Sequence, residues 1–354
     1  MNITLILENS VRFLNVEDAL NLRLVSKKCT FDYFYAEKCD LKLLTTAFGV
    51  NQFKKFHMPL KVDTKDDMNI LNGINCEILN NANVFVRKSF VVERCNAFHH
   101  ISKINLSDTM IKDLSSLKNS HIVELDLTRA KVSDISFLEG CAKLTHLSLA
   151  FTLVTDISVL SSLTSIEVLN LEKTRCQDFS SIAHLKNLKV LCLSRTRFEN
   201  ETVLSELTNL TNLSIDGTRI KNILNLSQLT NLEQLNISKI RISDISPVAH
   251  IHKLDILIAN FMGMYITNFR CGNSVRHLSA CGARNEYLAQ IAESENLEIL
   301  DISGSDVTDI SSLERCKKLH TLDLRLTPDC DLSSLRLCQT LRKIHLGRTF
   351  YIKN

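Results

Sequence analysis

The chain has 354 residues, with 42 Lys or Arg against 39 Asp or Glu for a net charge of +3, and 45% of it is apolar. That charge is too small by itself to argue for a nucleic-acid or membrane-surface partner, and with only three prolines and nine glycines no Pro-rich or low-complexity linker divides the chain. Apolar content is ample for a continuous core, yet no segment approaches the roughly 20 consecutive apolar residues of a membrane span.

The opening MNITLILENSVRF carries a short apolar run interrupted by Glu8 and no basic stretch, so it reads poorly as a secretory signal. Residues 1–45 are not repeat-like. Asn15 is placed to cap a helix, with Asp18 three residues on and Ala19, Leu20, Leu22, Leu24 and Val25 following, which predicts a small helical unit. Its wording, Phe13, Leu14, then Glu17, Asp18, Ala19, Leu20, then Leu22, Arg23, Leu24, Val25, Ser26 and Lys27, resembles the second half of an F-box, Y-L-x-x-x-D-L-x-x-L-R-x-V-S-K. The Leu-Pro that usually opens that motif is absent, Leu5, Ile6 and Leu7 standing without a proline. The resemblance implies docking onto a Skp1-like adaptor of a cullin ubiquitin ligase through Phe13, Leu14, Asp18, Leu20, Leu22, Leu24 and Val25. The same residues also fit plain helices that cap the end of a repeat array.

From 46 to 102 the pattern is a transition. Val84, Val86 and the run Phe90, Val91, Val92 suggest one or two degenerate repeats, with Asn80, Asn81 and Asn83 as turn material and His99 and His100 in a polar turn.

Residues 103–354 are one stretch written about twelve times. Apolar doublets recur at Ile104/Leu106, Leu125/Leu127, Leu147/Leu149, Leu169/Leu171, Leu191/Leu193, Leu213/Ile215, Leu235/Ile237, Leu257/Ala259, Leu278/Ala280, Leu300/Ile302, Leu322/Leu324 and Ile344/Leu346. The step is 22 residues nine times and 21 residues twice. Alternation puts both residues of a doublet on one face of a short strand, and parallel strands about 4.8 Å apart would build a ribbon on the order of 50 Å long. The period and the L-x-x-L-x-L core resemble leucine-rich repeats. The resemblance implies an α/β solenoid, with a curved parallel β-sheet on the concave face, short helical or 3₁₀ turns on the convex face and the small helical N-terminal unit attached.

Other positions of the repeat have structural roles. Thr152, Thr174, Thr196, Thr218, Thr327 and Thr349 predict a hydroxyl ladder that satisfies turn backbone. Asp113, Asp134, Asp156, Asp178, Asp244, Asp309 and Asp331 each precede an apolar run and predict the start of a short helical or 3₁₀ turn. The twelve cysteines show no C-x-x-C pair; Cys141, Cys316 and Cys338 take core positions held elsewhere by leucine, and Cys176 takes the place of Val154. Used as small buried hydrophobes, they fit a reducing compartment, cytoplasmic or nuclear, and they lack the ligand spacing for zinc. The last coil ends with Arg348, Phe350 and Tyr351 as a partial cap.

Against this background two exposed features stand out. Immediately after the turn residue come Lys131, Leu153, Arg175, Arg197, Arg219 and Arg241, so four arginines share one phase in consecutive coils. Asp178 and Asp244, three residues on, are expected to neutralise Arg175 and Arg241, while Asn200 and Asn222 stand at the equivalent places after Arg197 and Arg219. A second basic column, Arg129, Lys173, Arg195 and Lys239, lies two residues earlier, and the strip is centred on Arg195, Arg197 and Arg219. Guanidinium forks suit carboxylate or phosphate partners. The other feature is an irregular coil in which Ile256, Ile258, Phe261, Met262 and Met264 replace polar residues, an apolar docking patch beside a local kink.

No G-x-S-x-G, Gly-rich phosphate loop or H-E-x-x-H occurs, so no catalytic, cofactor-binding or metal-ligating residue is assigned. Scarce aromatics along the basic strip argue against nucleic acid. The repeat wording also resembles the Sds22-like class, to which a regulatory subunit of protein phosphatase 1 belongs, and the leucine-rich repeat proteins of kinetoplastids, where Thr replaces Asn. The expectation is a monomeric, non-catalytic protein-interaction module. It is either a substrate-recruiting adaptor, a stand-alone regulatory subunit, or a receptor for an acidic or phosphorylated ligand.

Overall fold

The computed structural model describes residues 39–40, 59–62, 71, 83–86, 96–111, 113–262 and 266–347. The F-box-like positions Phe13, Leu14, Asp18, Leu20, Leu22, Leu24 and Val25 lie outside the described residues, as do Met264, Thr349 and the C-terminal Arg348, Phe350 and Tyr351. The chain divides into two compact units, Met1–Leu169 and Asn170–Asn354.

In the first unit β1 (Cys39–Asp40), β2 (Pro59–Val62), β3 (Asn83–Val86), β4 (Lys103–Asn105), β5 (Glu124–Asp126) and β6 (His146–Ser148) pair in parallel in chain order. The division falls within β7 (Val168–Asn170). In the second unit β8 (Val190–Cys192), β9 (Asn212–Ser214), β10 (Gln234–Asn236), β11 (Ile256–Ile258), β12 (His277–Ser279), β13 (Ile299–Asp301), β14 (Thr321–Asp323) and β15 (Lys343–His345) do the same. Leucine faces leucine throughout: Leu191, Leu213, Leu235, Leu257, Leu278, Leu300, Leu322 and Ile344 align in one register. Both 21-residue steps, Ile104 to Leu125 and Leu257 to Leu278, keep that register, so the missing residue is absorbed outside the strands. The α/β repeat solenoid read from the sequence is therefore the fold observed.

Ahead of Ile104 the ladder continues with Leu60 opposite Val84 and Val84 opposite Ile104, and Val84 and Val86 are buried. Those residues are 24 and 20 apart in the chain, which is why the period fades there in the sequence.

From β4 to β14 each strand buries its central residue between more exposed neighbours, and the second residue of the doublet goes under just beyond the strand; in β15 Ile344 and Leu346 stay exposed. A buried leucine is worth about 1.5–3 kcal/mol, but one coil has no second layer of its own to bury it against, so the gain arises only between stacked coils. Leu160, Leu163 and Ile166, spaced three apart, fill the interior behind the strand.

Between strand and threonine the backbone turns through the left-handed region. Asp108, Arg129, Phe151, Lys173, Arg195, Lys239, Phe261 and Leu326 all have φ between 51° and 61°, and Gly217, Gly282 and Gly304 stand at the same phase. A side chain there costs on the order of 1 kcal/mol. The turn offsets it by aiming each N–H at the next coil: Arg195 N donates to Asp216 O at 2.6 Å, Lys239 N to Asn260 O at 2.9 Å and Phe261 N to Cys281 O at 2.8 Å. The threonine then closes the turn. Thr109, Thr152, Thr174, Thr196, Thr218 and Thr327 each donate Oγ1–H to the carbonyl three residues back at 2.6–2.9 Å. Their own N–H groups reach the same carbonyls only at 3.1–3.3 Å, so the hydroxyl supplies the better bond to a buried acceptor.

The aspartates act one position earlier than a cap in the strict sense. Asp113, Asp134, Asp156, Asp178, Asp244, Asp309 and Asp331 accept the N–H of the serine two residues on at 2.7–2.9 Å. An Ile, Leu or Phe stands between, buried in each case except the half-buried Leu332, and the serine opens a 3₁₀ turn such as Ser158–Ser162 or Ser311–Arg315. Two coils substitute α-helix, α1 (Thr202–Ser205) and α2 (Asn285–Ile291). The cysteines behave as the core positions require: Cys141, Cys176, Cys316 and Cys338 are buried, and the eight cysteines from Cys141 to Cys338 are free thiols. Burial pushes the Cys316 thiol up to about 12, far from a reactive thiolate at neutral pH.

Thr196→Val should lower stability by about 1 kcal/mol in urea unfolding, because it removes the hydroxyl donor and keeps the shape. The Asp156 and Asp309 carboxyls are held below their ordinary value, first by the backbone N–H and then the hydroxyl of Ser158 and Ser311; for Asp331 the Ser333 hydroxyl leads. A depressed carboxylate contributes stability that is full above its unfolded value of about 3.9 and is lost as pH falls below it. The triple variant Asp156→Asn, Asp309→Asn, Asp331→Asn should therefore show a thermal midpoint less sensitive to acid between about pH 5 and pH 2 than the parent chain.

Candidate binding surface

The four arginines lie in the second unit, each at the first exposed position after the buried turn residue. Registers Leu191 to Leu213 and Leu213 to Leu235 stack Arg197, Arg219 and Arg241 at identical phase, and Leu171 N and Lys173 N donate to Cys192 O and Ser194 O, which ties the Arg175 coil to the next. Arg219 N itself donates to Phe198 O at 2.8 Å. Backbones are thus about 4.8 Å apart, a spacing at which neighbouring unit charges repel by roughly 0.8 kcal/mol even in bulk water.

The following aspartates, expected from the sequence to neutralise Arg175 and Arg241, form no ion pair with them among the described residues. Asp178 and Asp244 turn back into their own coils and accept Ser180 N and Ser246 N at 2.8 and 2.7 Å. Asn200 and Asn222 fill the same role toward Thr202 N and Leu224 N. Glu201 accepts the Asn222 amide at 2.9 Å. Among the described residues no carboxylate lies within ion-pair distance of Arg175, Arg197, Arg219 or Arg241.

The second basic column proves different in kind. Lys173, Arg195 and Lys239 are the left-handed residues of their turns, and Gly217 interrupts them. Arg195 is bracketed by Glu172 Oε1 at 3.9 Å and Asp216 Oδ2 at 3.6 Å. Lys239 places its ammonium 5.8 Å from the centroid of the Phe261 ring. The strip is therefore an inner column paired with carboxylates at Arg195 and an outer column with no ion pair among the described residues, with Arg197 and Arg219 at the centre of the latter. The glycines at 217, 282 and 304 are the sequence signal that could have identified the inner column as a left-handed turn.

Of the apolar patch, Ile256 and Ile258 are half-buried on β11 and Phe261 keeps 55% of its surface exposed. Met262 does not belong to it. That side chain is buried in the slot that threonine fills in other coils, as Ile240 is in the coil before. Phe261 packs toward Gly282 of the next coil, where a Cβ would come within 2.9 Å of the ring. On the strand face, Asn105, Asp126, Asn170, Asn236, Asp301 and Asp323 each accept the N–H two residues on, so these polar side chains are partly consumed by the fold.

A cleft of about 330 Å³ opens in the first unit beside Lys118, Lys131, Phe137 and Glu139. Lys118 and Glu139 close on one another there at 2.8 Å. Among the described residues no three His, Cys, Asp or Glu side chains converge as a metal site, and no helix is long and apolar enough to cross a membrane.

An internalin from Listeria monocytogenes superposes with a TM-score of 0.57 at 20% identity, over 81% of this chain and 89% of its own. The fold is a leucine-rich repeat solenoid. TLR13, solved in complex with ssRNA13, matches with a TM-score of 0.61 at 17% identity over 96% of this chain, which spans only 54% of that one. The plant peptide hormone receptor RGFR1, solved with RGF2, gives 0.50 at 13% identity over 85% of this chain and 64% of its own. No protein-family model and no curated protein matches the chain. Identities this low carry the fold alone.

Proposed function

We propose that this chain is a non-catalytic binding module whose second unit receives an acidic or phosphorylated segment of a protein partner along Arg175, Arg197, Arg219 and Arg241. The observation that carries the reading is the column itself: four exposed guanidiniums at one phase, none within ion-pair distance of a carboxylate among the described residues. A rigid backbone ladder holds their spacing, and a planar fork binds carboxylate or phosphate in two contacts. Similar folds are solved with ssRNA13 and with RGF2, so ligand class follows from the surface and not from the fold. The outer column has no aromatic residue interleaved on which bases could stack, which favours a protein segment. Free thiols, five of the eight from Cys141 to Cys338 buried, suit a chain working in a reducing cytoplasm or nucleus, and we take it as a monomer.

A second, compatible proposal rests on the resemblance at Phe13 to Lys27. The N-terminal segment engages a Skp1-like adaptor, and the chain recruits a ubiquitin-ligase substrate. The competing role is a stand-alone regulatory subunit of the Sds22-like type, with the same segment as a cap.

Charge reversal at Arg197→Glu and Arg219→Glu should weaken binding of Glu-rich and phosphoserine peptides, followed by fluorescence anisotropy at low salt, at least roughly tenfold while leaving unfolding unchanged. Survival of binding would reduce the column to a solvated rim. For the N-terminal segment, affinity capture with the full chain and with a chain lacking residues 1–45 should recover a Skp1-like protein only with the former. Recovery of a phosphatase catalytic subunit by both chains, without the adaptor, would favour the regulatory role.

A further inference from the structure

Phe261 is exposed at a place where the chain could have used glycine. Gly217, Gly282 and Gly304 occupy the same left-handed phase without strain, whereas Phe261 holds φ at 51° and still leaves 55% of its surface to solvent. Its position along the solenoid is specific. Arg175, Arg197, Arg219 and Arg241 occupy four consecutive coils, and Phe261 belongs to the fifth. Lys239, two residues before Arg241, lies over the ring and joins the end of the basic column to the aromatic. On the same coil Ile256 and Ile258 face out between Gln234 and Asn236 of β10 and His277 and Ser279 of β12, so one coil presents apolar side chains where its neighbours present polar ones.

We infer that the basic column and the β11 coil form one composite surface that binds a linear protein segment carrying an anionic run followed by a single aromatic or branched aliphatic anchor. This rests on the acidic-segment reading and adds the anchor and its place. Charge complementarity selects the occupant. The anionic run follows the outer column, because Glu172 and Asp216 line the inner one and repel it. The anchor then meets Phe261, which shares its coil with Ile258, and the Lys239 ammonium that lies over the ring. From the Arg175 coil to the Phe261 coil is four steps of about 4.8 Å, or about 19 Å, which an extended chain covers in about six residues. The last anionic residue, opposite Arg241, therefore stands within one or two residues of the anchor.

The test uses the full chain, its Phe261→Gly variant and the Arg197→Glu/Arg219→Glu variant, against fluorescent peptides with four glutamates followed by phenylalanine, the same with alanine, and the phenylalanine moved to the opposite end. Phe261→Gly removes the ring while installing the residue three other coils carry, so the fold should be unperturbed; the urea midpoint checks this. The anchored peptide should bind about tenfold more tightly than the other two, and Phe261→Gly should erase that advantage and leave the alanine peptide unchanged. If Phe261→Gly changes nothing while charge reversal abolishes binding of all three, the anchor is wrong and the acidic-segment reading stands. If neither variant changes binding, both fail. A single-stranded RNA that displaces the peptides from the full chain but not from the charge-reversed variant would overturn the choice of a protein partner.

Discussion

Burial of one leucine per strand between the leucines on either side is the interaction on which everything else depends. A coil of about 22 residues has a single doublet, and its strand is three residues long. Alone it has nothing to bury against and too few backbone bonds to persist. Stacked, each central residue is closed off by those two coils, and the ladder fixes the register to the residue. Fixing the register fixes the phase of every other position, so whatever the chain exposes at one phase becomes a column.

The cost of such a small coil is a tight turn after every strand, and the sequence meets it with a few recurring devices. A left-handed residue sends its N–H to the next coil, a threonine hydroxyl bonds the carbonyl three residues back, and an aspartate opens the 3₁₀ turn. These devices explain why polar residues that look available are not. The strand-face asparagines and aspartates bond their own backbone, and the aspartates after Arg175 and Arg241 are drawn into the turns. The arginines remain because nothing in the repeat's own hydrogen bonding calls on them.

Much of this was legible in the sequence. The doublets from Ile104 to Leu346 gave strand positions and register, and the cysteines at leucine phase gave their burial. Strands β2 and β3 were obscured because their steps depart from the period, and α1 and α2 because a helical turn fits into the same loop without altering the doublets. The arginine column could be read as a phase but not as uncompensated, since sequence spacing puts Asp178 within reach of Arg175 while local geometry commits it to Ser180. Phe261 and Met262 look equivalent as adjacent apolar residues. Only the left-handed turn decides that the first faces out and the second in.

The left-handed position is a place in each coil where a side chain neither packs in the core nor closes the turn. Across the chain it carries acid, base, aromatic, aliphatic and glycine in turn, at Asp108, Arg129, Phe151, Leu326 and Gly304. Because the backbone there donates to the neighbouring coil whatever the side chain, its identity is free to drift without disturbing the scaffold. An array built this way can acquire new targets one letter at a time, and a designer could redirect it by rewriting that single file of residues.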